Sequence, residues 1–200
     1  MTTLLQINSS ISSDAGQSSK LAARFVVEWQ ARHPDGQVRV RDLARDPVPH
    51  LTAERFAAFL VPAEQRSAAQ QAIVAESDAL IEELRSADIV VLGLPMYNFH
   101  IPSTLKAYFD HIARAGVSFR YTANGPEGLM GDRRVVIFAA RGGVYTGTTL
   151  DTQTPYLTTF LGFLGIRSLE FVYTEGLALG AEPAQRAIEE SLSRIPALAV

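Results

Sequence analysis

Three segments of the chain contain residue types that could hold a ligand, and each follows a short apolar run. The most distinctive is Pro95-Met96-Tyr97-Asn98-Phe99-His100-Ile101-Pro102, which combines methionine with aromatic rings. Their polarisable surfaces suit a planar heterocycle. Asn98 adds a hydrogen-bond donor and an acceptor, which match a ring with alternating N–H and C=O groups. The alternative is a hydrophobic turn that packs on a helix or on a second subunit.

A second segment, residues 8–19, is rich in hydroxyl groups and leads into a helical pattern. A helix N-terminus offers free N–H groups and the positive end of a dipole, which suit a phosphate. Ser10 and Ser18 could add hydroxyl donors, and Gly16 lets the backbone come close to a ligand. The same residues are also typical of a polar turn with serine N-caps. The segment lacks the G-x-G-x-x-G pattern of dinucleotide-binding loops.

The third segment is Ala140-Arg141-Gly142-Gly143. Two glycines after a buried strand favour close approach of the backbone to a ligand, whose carbonyl oxygens the free N–H groups could bind. Arg141 either shapes that site or pairs with a nearby carboxylate, and a simple tight turn stays open as an interpretation. The next residues have the glycine spacing of a P-loop, but Thr148 stands where lysine is required. Hydrolysis of a nucleoside triphosphate is therefore disfavoured.

The composition excludes several other kinds of function. The 200 residues carry 18 Lys and Arg against 21 Asp and Glu, so no basic surplus is available for nucleic acid. The absence of cysteine removes disulfides, thiolate metal sites and cysteine nucleophiles, so redox chemistry would need a bound cofactor. Neither a signal peptide nor a run of about 18 apolar residues is present, and we expect a cytoplasmic protein without membrane contact.

The four histidines lack the spacing of metal ligands, and no Ser-His-Asp or paired-carboxylate pattern is evident. We therefore expect no metal and no catalytic side chain. Only His100 lies in a candidate segment, where it could donate a proton to a substrate. A histidine at the surface or at a subunit interface is the other interpretation.

Apolar runs of strand length alternate with helical patterns along the whole chain. Strands are predicted at residues 3–7, 38–40, 88–94, 135–140 and 169–173, and helices at 18–32, 53–60, 66–85, 103–114, 149–164 and 182–198. Such alternation predicts one flavodoxin-like α/β domain over residues 1–200: a five-stranded parallel sheet of order 2-1-3-4-5 with helices on both faces. Residues 116–131 are predicted to leave it as an excursion with one edge-like strand at 118–122. In the last helix, Ile188, Leu192 and Ile195 are predicted to point inward.

This architecture brings the three segments together. Ligands of open parallel sheets bind beyond the carboxyl ends of the strands, near the point where the strand order reverses. The three segments follow the strands that end there, so they are predicted to form one site.

Longer stretches resemble a known family. They are Pro-Met-Tyr-Asn-Phe at 95–99, the stretch through 113–122, Asn-Gly-Pro-Glu-Gly-Leu at 124–129, Arg-Gly-Gly at 141–143 and Thr-Pro-Tyr-Leu-Thr-Thr-Phe-Leu-Gly-Phe-Leu-Gly at 154–165. With these motifs nearly the whole chain resembles the FMN-dependent NADH azoreductases, also described as FMN-dependent NADH:quinone oxidoreductases. The resemblance implies a flavodoxin-like homodimer with one FMN per subunit.

The resemblance also implies roles for individual residues. The phosphate and ribityl end of FMN would lie on Ser10, Gly16, Gln17 and Ser18. The isoalloxazine ring would be flanked by Met96, Tyr97, Asn98 and Phe99, and its pyrimidine side would meet Ala140, Arg141, Gly142 and Gly143. A substrate pocket, partly from the second subunit, would involve Tyr121 and Phe163, with His100 and the variable Tyr145 nearby.

The activity implied is a ping-pong reaction in which NADH or NADPH reduces FMN, which then reduces a quinone or cleaves an azo compound to amines. The cofactor would carry the hydride, so no catalytic side chain is needed. Two alternatives stay open: a flavodoxin-like electron carrier that binds FMN without oxidising NADH, and a dimerisation module with an empty site.

Overall fold

A computed structural model, which describes residues 2–200, contains seven strands and six α-helices. The strands are β1 (Thr3–Asn8), β2 (Gln37–Asp42), β3 (Ile89–Pro95), β4 (Phe119–Thr122), β5 (Gly125–Gly128), β6 (Arg134–Ala140) and β7 (Leu169–Thr174). The helices are α1 (Gln17–Arg32), α2 (Ala53–Leu60), α3 (Ala68–Arg85), α4 (Ser103–Ile112), α5 (Gln153–Phe163) and α6 (Ala181–Leu198). Five parallel strands form one sheet in the order β2-β1-β3-β6-β7. The predicted 2-1-3-4-5 order is thereby confirmed, since β4 and β5 lie outside this sheet.

Helices cover both faces of the sheet because successive strand residues point to opposite sides. Leu4 and Val91 face the cluster that includes Phe25 and Trp29 of α1. Their neighbours Leu5 and Val90 face the larger cluster formed with α3, α4 and α5. The middle strand β3 is consequently apolar throughout, as expected for a parallel sheet with both faces buried.

A glycine in β3 sets how closely α1 packs on the sheet. A Cβ atom at Gly93 would lie 3.2 Å from the backbone carbon of Ser18 and 3.3 Å from the nitrogen of Ser19. The carbonyl oxygen of Gly93 also accepts hydrogen bonds from the amide and the hydroxyl of Ser9, at 3.1 and 2.8 Å. The loop after β1 and the start of α1 are therefore fixed against the middle of the sheet.

The excursion after α4 is a hairpin rather than a single edge strand. The predicted strand at 118–122 corresponds to β4, but it pairs with a second, antiparallel strand, β5. The sequence prediction missed β5 because Gly125-Pro126-Glu127-Gly128 lacks the apolar alternation of a strand. The hairpin rests on the end of α5, where the ring centroids of Phe119 and Phe163 are 4.4 Å apart.

Two details of the predicted helices are wrong. The helix predicted from residue 149 begins at Gln153, because the side chains of Thr148 and Asp151 accept hydrogen bonds from the amides of Leu150 and Thr154 and shape a turn instead. In α6, Leu192 is 39% exposed, whereas Ser191 and Ile195 are buried. The buried line of α6 follows the four-residue spacing from 191 to 195, and Leu192 lies beside it.

Gly128→Ala is expected to lower the free energy of unfolding by about 1–3 kcal/mol, a typical overpacking penalty. The new Cβ would lie 2.1 Å from the backbone of Leu164 and Gly165, which cannot move aside as a side chain would. Urea unfolding measures the effect. The control is Gly162→Ala inside α5, where a Cβ meets no atom within 4 Å. This control should stabilise the protein by roughly 0.5–1 kcal/mol through helix propensity, and equal effects of the two substitutions would contradict the packing argument.

Candidate active site

The three predicted segments meet at the carboxyl ends of β1, β3 and β6. The hydroxyl of Tyr97 lies 3.2 Å from that of Ser10 and accepts a hydrogen bond from the amide of Ile11 at 3.3 Å. The amide of Met96 donates to the carbonyl of Ala140 at 3.0 Å. Contacts between all three segments therefore form one continuous edge, at the reversal of strand order between β1 and β3.

The first turn of α1 offers hydrogen-bond donors that lack partners. The first amide bonded within the helix is that of Lys20, which donates to Gly16. Within residues 2–200, the amides of Gln17, Ser18 and Ser19 therefore have no acceptor. The hydroxyls of Ser18 and Ser19 are buried and also have none. Five unpaired donors at the positive end of a helix suit a phosphate.

Gly16 is required for a close contact with Ser10 rather than for an unusual backbone conformation. Its φ of −65° is ordinary, but a Cβ atom would lie 2.3 Å from the hydroxyl oxygen of Ser10. That hydroxyl also accepts from the amide of Ser12 at 3.2 Å. Ser10 is thus engaged within its own loop. Ser19 offers a free hydroxyl instead. It was not predicted as a site residue, because only its position beside Ser18 at the start of a helix could have indicated this role.

The segment after β3 forms a tight turn with two strained residues. The amides of Tyr97 and His100 each donate to the other's carbonyl, at 3.1 and 3.0 Å. Between them, Asn98 and Phe99 have φ values of +49° and +63°. This geometry usually selects Asn and Gly, and each strained residue costs on the order of 1–3 kcal/mol. Within the described part of the chain, the amides of Asn98 and Phe99 have no acceptor.

Arg141 is enclosed by its partners. Its side chain is fully buried, and the guanidinium donates to Asp151 at 2.8 Å and to Glu175 and Gln153 at 3.1 Å each. It also lies 4.9 Å from the ring centroid of Tyr173. Of the two interpretations of Arg141, the structure therefore supports pairing with carboxylates. The guanidinium also donates to the hydroxyls of Thr146 and Thr154, at 3.4 and 3.3 Å, so all five of its N–H groups have acceptors. Arg141 therefore contributes by holding the loop that follows it.

That loop presents two more free amides. The carbonyls of Gly142 and Gly143 accept from Ala178 and Gly176, at 2.9 Å each, but their N–H groups have no acceptor in residues 2–200. The ring of Tyr145 covers Gly143, where a Cβ would lie 2.6 Å from the ring. Tyr145 also lies edge-on to Phe99, with centroids 5.7 Å apart. Aromatic rings thus connect the segment after β3 to the loop after β6.

Polar residues outside the predicted segments position these loops. Glu175 accepts from the amides of Tyr145 and Thr146, at 2.9 and 3.0 Å. Gln153 donates to the carbonyls of Pro95 and His100. The sequence analysis missed Asp151, Gln153 and Glu175, since a single polar residue at a helix or strand end carries no periodic signal.

The predicted substrate residues are not all close to this edge. Tyr121 is 76% exposed at the hairpin, where its ring contacts Phe119, and Phe163 packs on the same phenylalanine. No hydrogen bond or ring contact within residues 2–200 joins Tyr121 or Phe163 to the three segments. His100 is exposed, and its ring lies 5.0 Å from that of Tyr156. Burial and nearby Asp110 raise the pKa of Tyr156 to about 12, so this phenol stays protonated at neutral pH.

Residues 2–200 contain neither a cluster of metal ligands nor a membrane-spanning helix. No three His, Asp or Glu side chains in this range cluster as metal ligands would. None of the helices in it is long and apolar enough to cross a membrane.

The sheet order and the ligand-binding edge define a doubly wound α/β protein of the flavodoxin-like class. The chain belongs to the family described as "Flavodoxin-like fold", whose model matches residues 2–198. The family expected from the sequence motifs is thereby confirmed.

Relatives and solved structures with similar chains carry consistent names. An FMN-dependent NADH:quinone oxidoreductase of Cellvibrio japonicus is 57% identical over 90% of both chains. One from Burkholderia thailandensis is 54% identical over 99% of this chain and 100% of its own. The azoreductase of Bacillus anthracis str. Sterne superposes with a TM-score of 0.90, at 28% identity, over 100% of this chain and 99% of its own. An FMN-dependent NADH-azoreductase of Bacillus anthracis str. Ames Ancestor, in complex with FMN, gives 0.88 at 28% identity over both whole chains.

Asp151→Asn is expected to lower the free energy of unfolding by about 2–4 kcal/mol at neutral pH, because it removes a carboxylate that faces a buried guanidinium. Burial alone would raise the pKa of Asp151, but hydrogen bonds from Thr154 and Arg141 outweigh burial and hold the pKa below its usual value. Stabilisation by a group with a lowered folded pKa is complete above its unfolded pKa of about 4 and is lost as the pH falls through the folded value.

Urea unfolding between about pH 7 and pH 3 tests this prediction. The difference between wild type and Asp151→Asn should be constant down to about pH 5 and shrink below about pH 4. The matched control is Asp35→Asn at an exposed position, which should change little at any pH. A difference that persists undiminished at the lowest pH would contradict the argument.

Proposed function

We propose that this protein is an FMN-dependent oxidoreductase that uses NADH or NADPH to reduce quinones and to cleave azo compounds. One observation carries the proposal: donors without partners line a single edge of the sheet, at α1, at the Tyr97–His100 turn and at Gly142 and Gly143. The names of relatives that are more than 50% identical over nearly the whole chain give FMN as the ligand and NADH and quinone as the substrates.

The available donors fit the chemistry of FMN from one end to the other. The amides of Gln17, Ser18 and Ser19, with the two serine hydroxyls, would hold the phosphate. The amides of Asn98, Gly142 and Gly143 would donate to the carbonyl oxygens and ring nitrogens of the isoalloxazine. In addition, Met96, Tyr97 and Phe99 would flank the ring. Ser10 and Arg141 would act by shaping these loops, because their polar groups are already engaged.

When bound, FMN supplies the redox chemistry, accepting hydride from a nicotinamide nucleotide and delivering it to a quinone or azo acceptor. With FMN bound, the amides of Gly142 and Gly143 would favour negative charge at the pyrimidine side of the ring, since unpaired N–H groups stabilise a developing anion. The rings of Tyr145 and Phe99 would cover this side of a bound flavin. Each hydride delivered to a quinone or an azo bond is accompanied by one proton, which water can supply, so the proposal assigns no catalytic side chain.

The active form is proposed to be a cytoplasmic homodimer. The exposed Tyr121 and its neighbour Phe163 leave a large aromatic surface beside the hairpin. In a pair of subunits these rings would complete the substrate pocket of the opposite chain, which explains why neither ring reaches the site of its own chain.

An anaerobic titration tests the proposed activity. When NADH is added to protein reconstituted with FMN, the visible flavin absorbance should disappear at a catalytic rate. Addition of a quinone should restore this absorbance. Bound flavin that NADH reduces only slowly would favour an electron carrier instead. No binding of FMN would overturn both. Sedimentation of the same sample should give the mass of two chains.

Ser18→Ala should separate cofactor binding from stability. Because the buried hydroxyl has no partner within residues 2–200, its removal should leave the flavin-free protein as stable or up to about 1 kcal/mol more stable. The same change should weaken FMN binding about tenfold, through the loss of a donor to a charged group. Flavin fluorescence and urea unfolding give the two values.

Ser77→Ala is the matched control for this experiment. The buried hydroxyl of Ser77 donates to the carbonyl of His111 at 2.6 Å, away from the proposed site. Its loss should reduce stability by about 1 kcal/mol and leave FMN affinity unchanged. Should Ser18→Ala bind FMN as tightly as wild type, Ser18 does not hold the phosphate.

A further inference from the structure

Gln153 lies at the start of α5, fully buried between two segments of the proposed FMN site. Its side-chain nitrogen donates to the carbonyls of Pro95 at 2.9 Å and His100 at 3.2 Å. Its side-chain oxygen accepts from Nε of Arg141 at 3.1 Å. One amide thus links the loop after β3 to the charge network after β6.

The partners of this amide fix its orientation. In the opposite orientation, its oxygen would face two carbonyl oxygens and its NH₂ group would face an N–H of Arg141. Both contacts would be repulsive, because donors would meet donors and acceptors would meet acceptors. The two N–H groups of Gln153 therefore point to the turn, and its oxygen points to Arg141.

The turn requires such support because of its backbone strain. Asn98 and Phe99 both have positive φ, and such residues persist only where the surrounding structure holds them. Besides the paired amides of Tyr97 and His100, the support comes from the first residues of α5: the hydroxyl of Thr152 donates to the carbonyl of Phe99, and Gln153 holds the carbonyls on either side.

We propose that Gln153 is a positioning residue that holds the Tyr97–His100 turn in its ligand-binding conformation before FMN binds and thereby sets the affinity for FMN. The inference rests on the proposed function in naming FMN as the ligand. The role of Gln153 in the turn itself does not depend on that name.

Two substitutions separate the contacts of Gln153. Gln153→Met removes all three hydrogen bonds at similar volume. Gln153→Glu keeps an acceptor for Arg141 but places carboxylate oxygens against the carbonyls of Pro95 and His100. In flavin-free protein, amide hydrogen exchange at His100 should accelerate at least about tenfold in both variants. The dissociation constant of FMN should rise about tenfold or more in both, as expected for the loss of one or more buried hydrogen bonds.

Two controls test the effect of the Gln-to-Met exchange itself and the effect of a general loss of stability. Gln185→Met makes the same exchange at an exposed position of α6 and should change neither value. Leu80→Ala removes a core side chain of α3 and should lower the melting temperature without accelerating exchange at His100 relative to other amides.

Three results would overturn the inference. The first is unchanged exchange and FMN affinity in both Gln153 variants. The second is loss of affinity in Gln153→Met alone, because Gln153 would then act only through Arg141. The third is an effect at His100 no larger than that of Leu80→Ala at equal loss of stability.

Thr152→Val provides a test that does not disturb Arg141. If neither Gln153 variant folds, this change should still speed exchange at His100 and weaken FMN binding, since it removes the donor to Phe99. Unchanged values in Thr152→Val would then overturn the proposal. If wild-type protein itself fails to bind FMN, the proposed function fails, while exchange in the flavin-free protein still decides the role of Gln153.

Discussion

The buried guanidinium of Arg141 is the constraint on which the candidate site depends. A fully buried charge is tolerated only when carboxylates and hydrogen-bond acceptors surround it. Here the acceptors come from three places: Asp151 before α5, Gln153 within it and Glu175 after β7. Satisfying one side chain therefore fixes the ends of three elements at once. The loops between them have little freedom left, because Glu175 also binds two amides of the loop after β6.

The loop after β6 is held by hydrogen bonds to other parts of the protein, yet some of its own backbone amides have no acceptor. The carbonyls of Gly142 and Gly143 accept hydrogen bonds within the protein, whereas their amides have no acceptor within residues 2–200. At α1 a different device has the same result, because Gly16 and Gly93 let the loop and the helix start pack closely while the first amides of the helix stay free. The site thus consists of hydrogen-bond donors that have no acceptor within the fold, rather than of reactive side chains. Such a site suits a protein whose cofactor carries the chemistry.

The sequence was sufficient to predict the sheet order and the meeting of three loops, since apolar runs report burial and parallel strands end at one edge. It could not reveal how those loops are held. Glu175 lies 34 residues from Arg141 along the chain, and no periodicity links them. The role of Gln153 could not be predicted, because a single polar residue at a helix start can serve many purposes. Strand β5 could not be predicted either, because a segment of Gly, Pro and Glu becomes a strand only by pairing with β4. The positive φ of Phe99 was likewise not predictable from its residue type, because only the surrounding structure holds a bulky residue in that conformation.

The backbone of Gly128 packs directly on that of Gly165, which ties the hairpin to the end of α5. The exposed ring of Tyr121 lies on this hairpin and contacts none of the three loops of its own chain. If the proposed dimer is the active form, the pocket is completed by association of subunits and not by closure of a loop. Dilution would then separate two properties that share one fold: each free chain would keep its cofactor, while turnover of quinone would follow the fraction of chains that are paired.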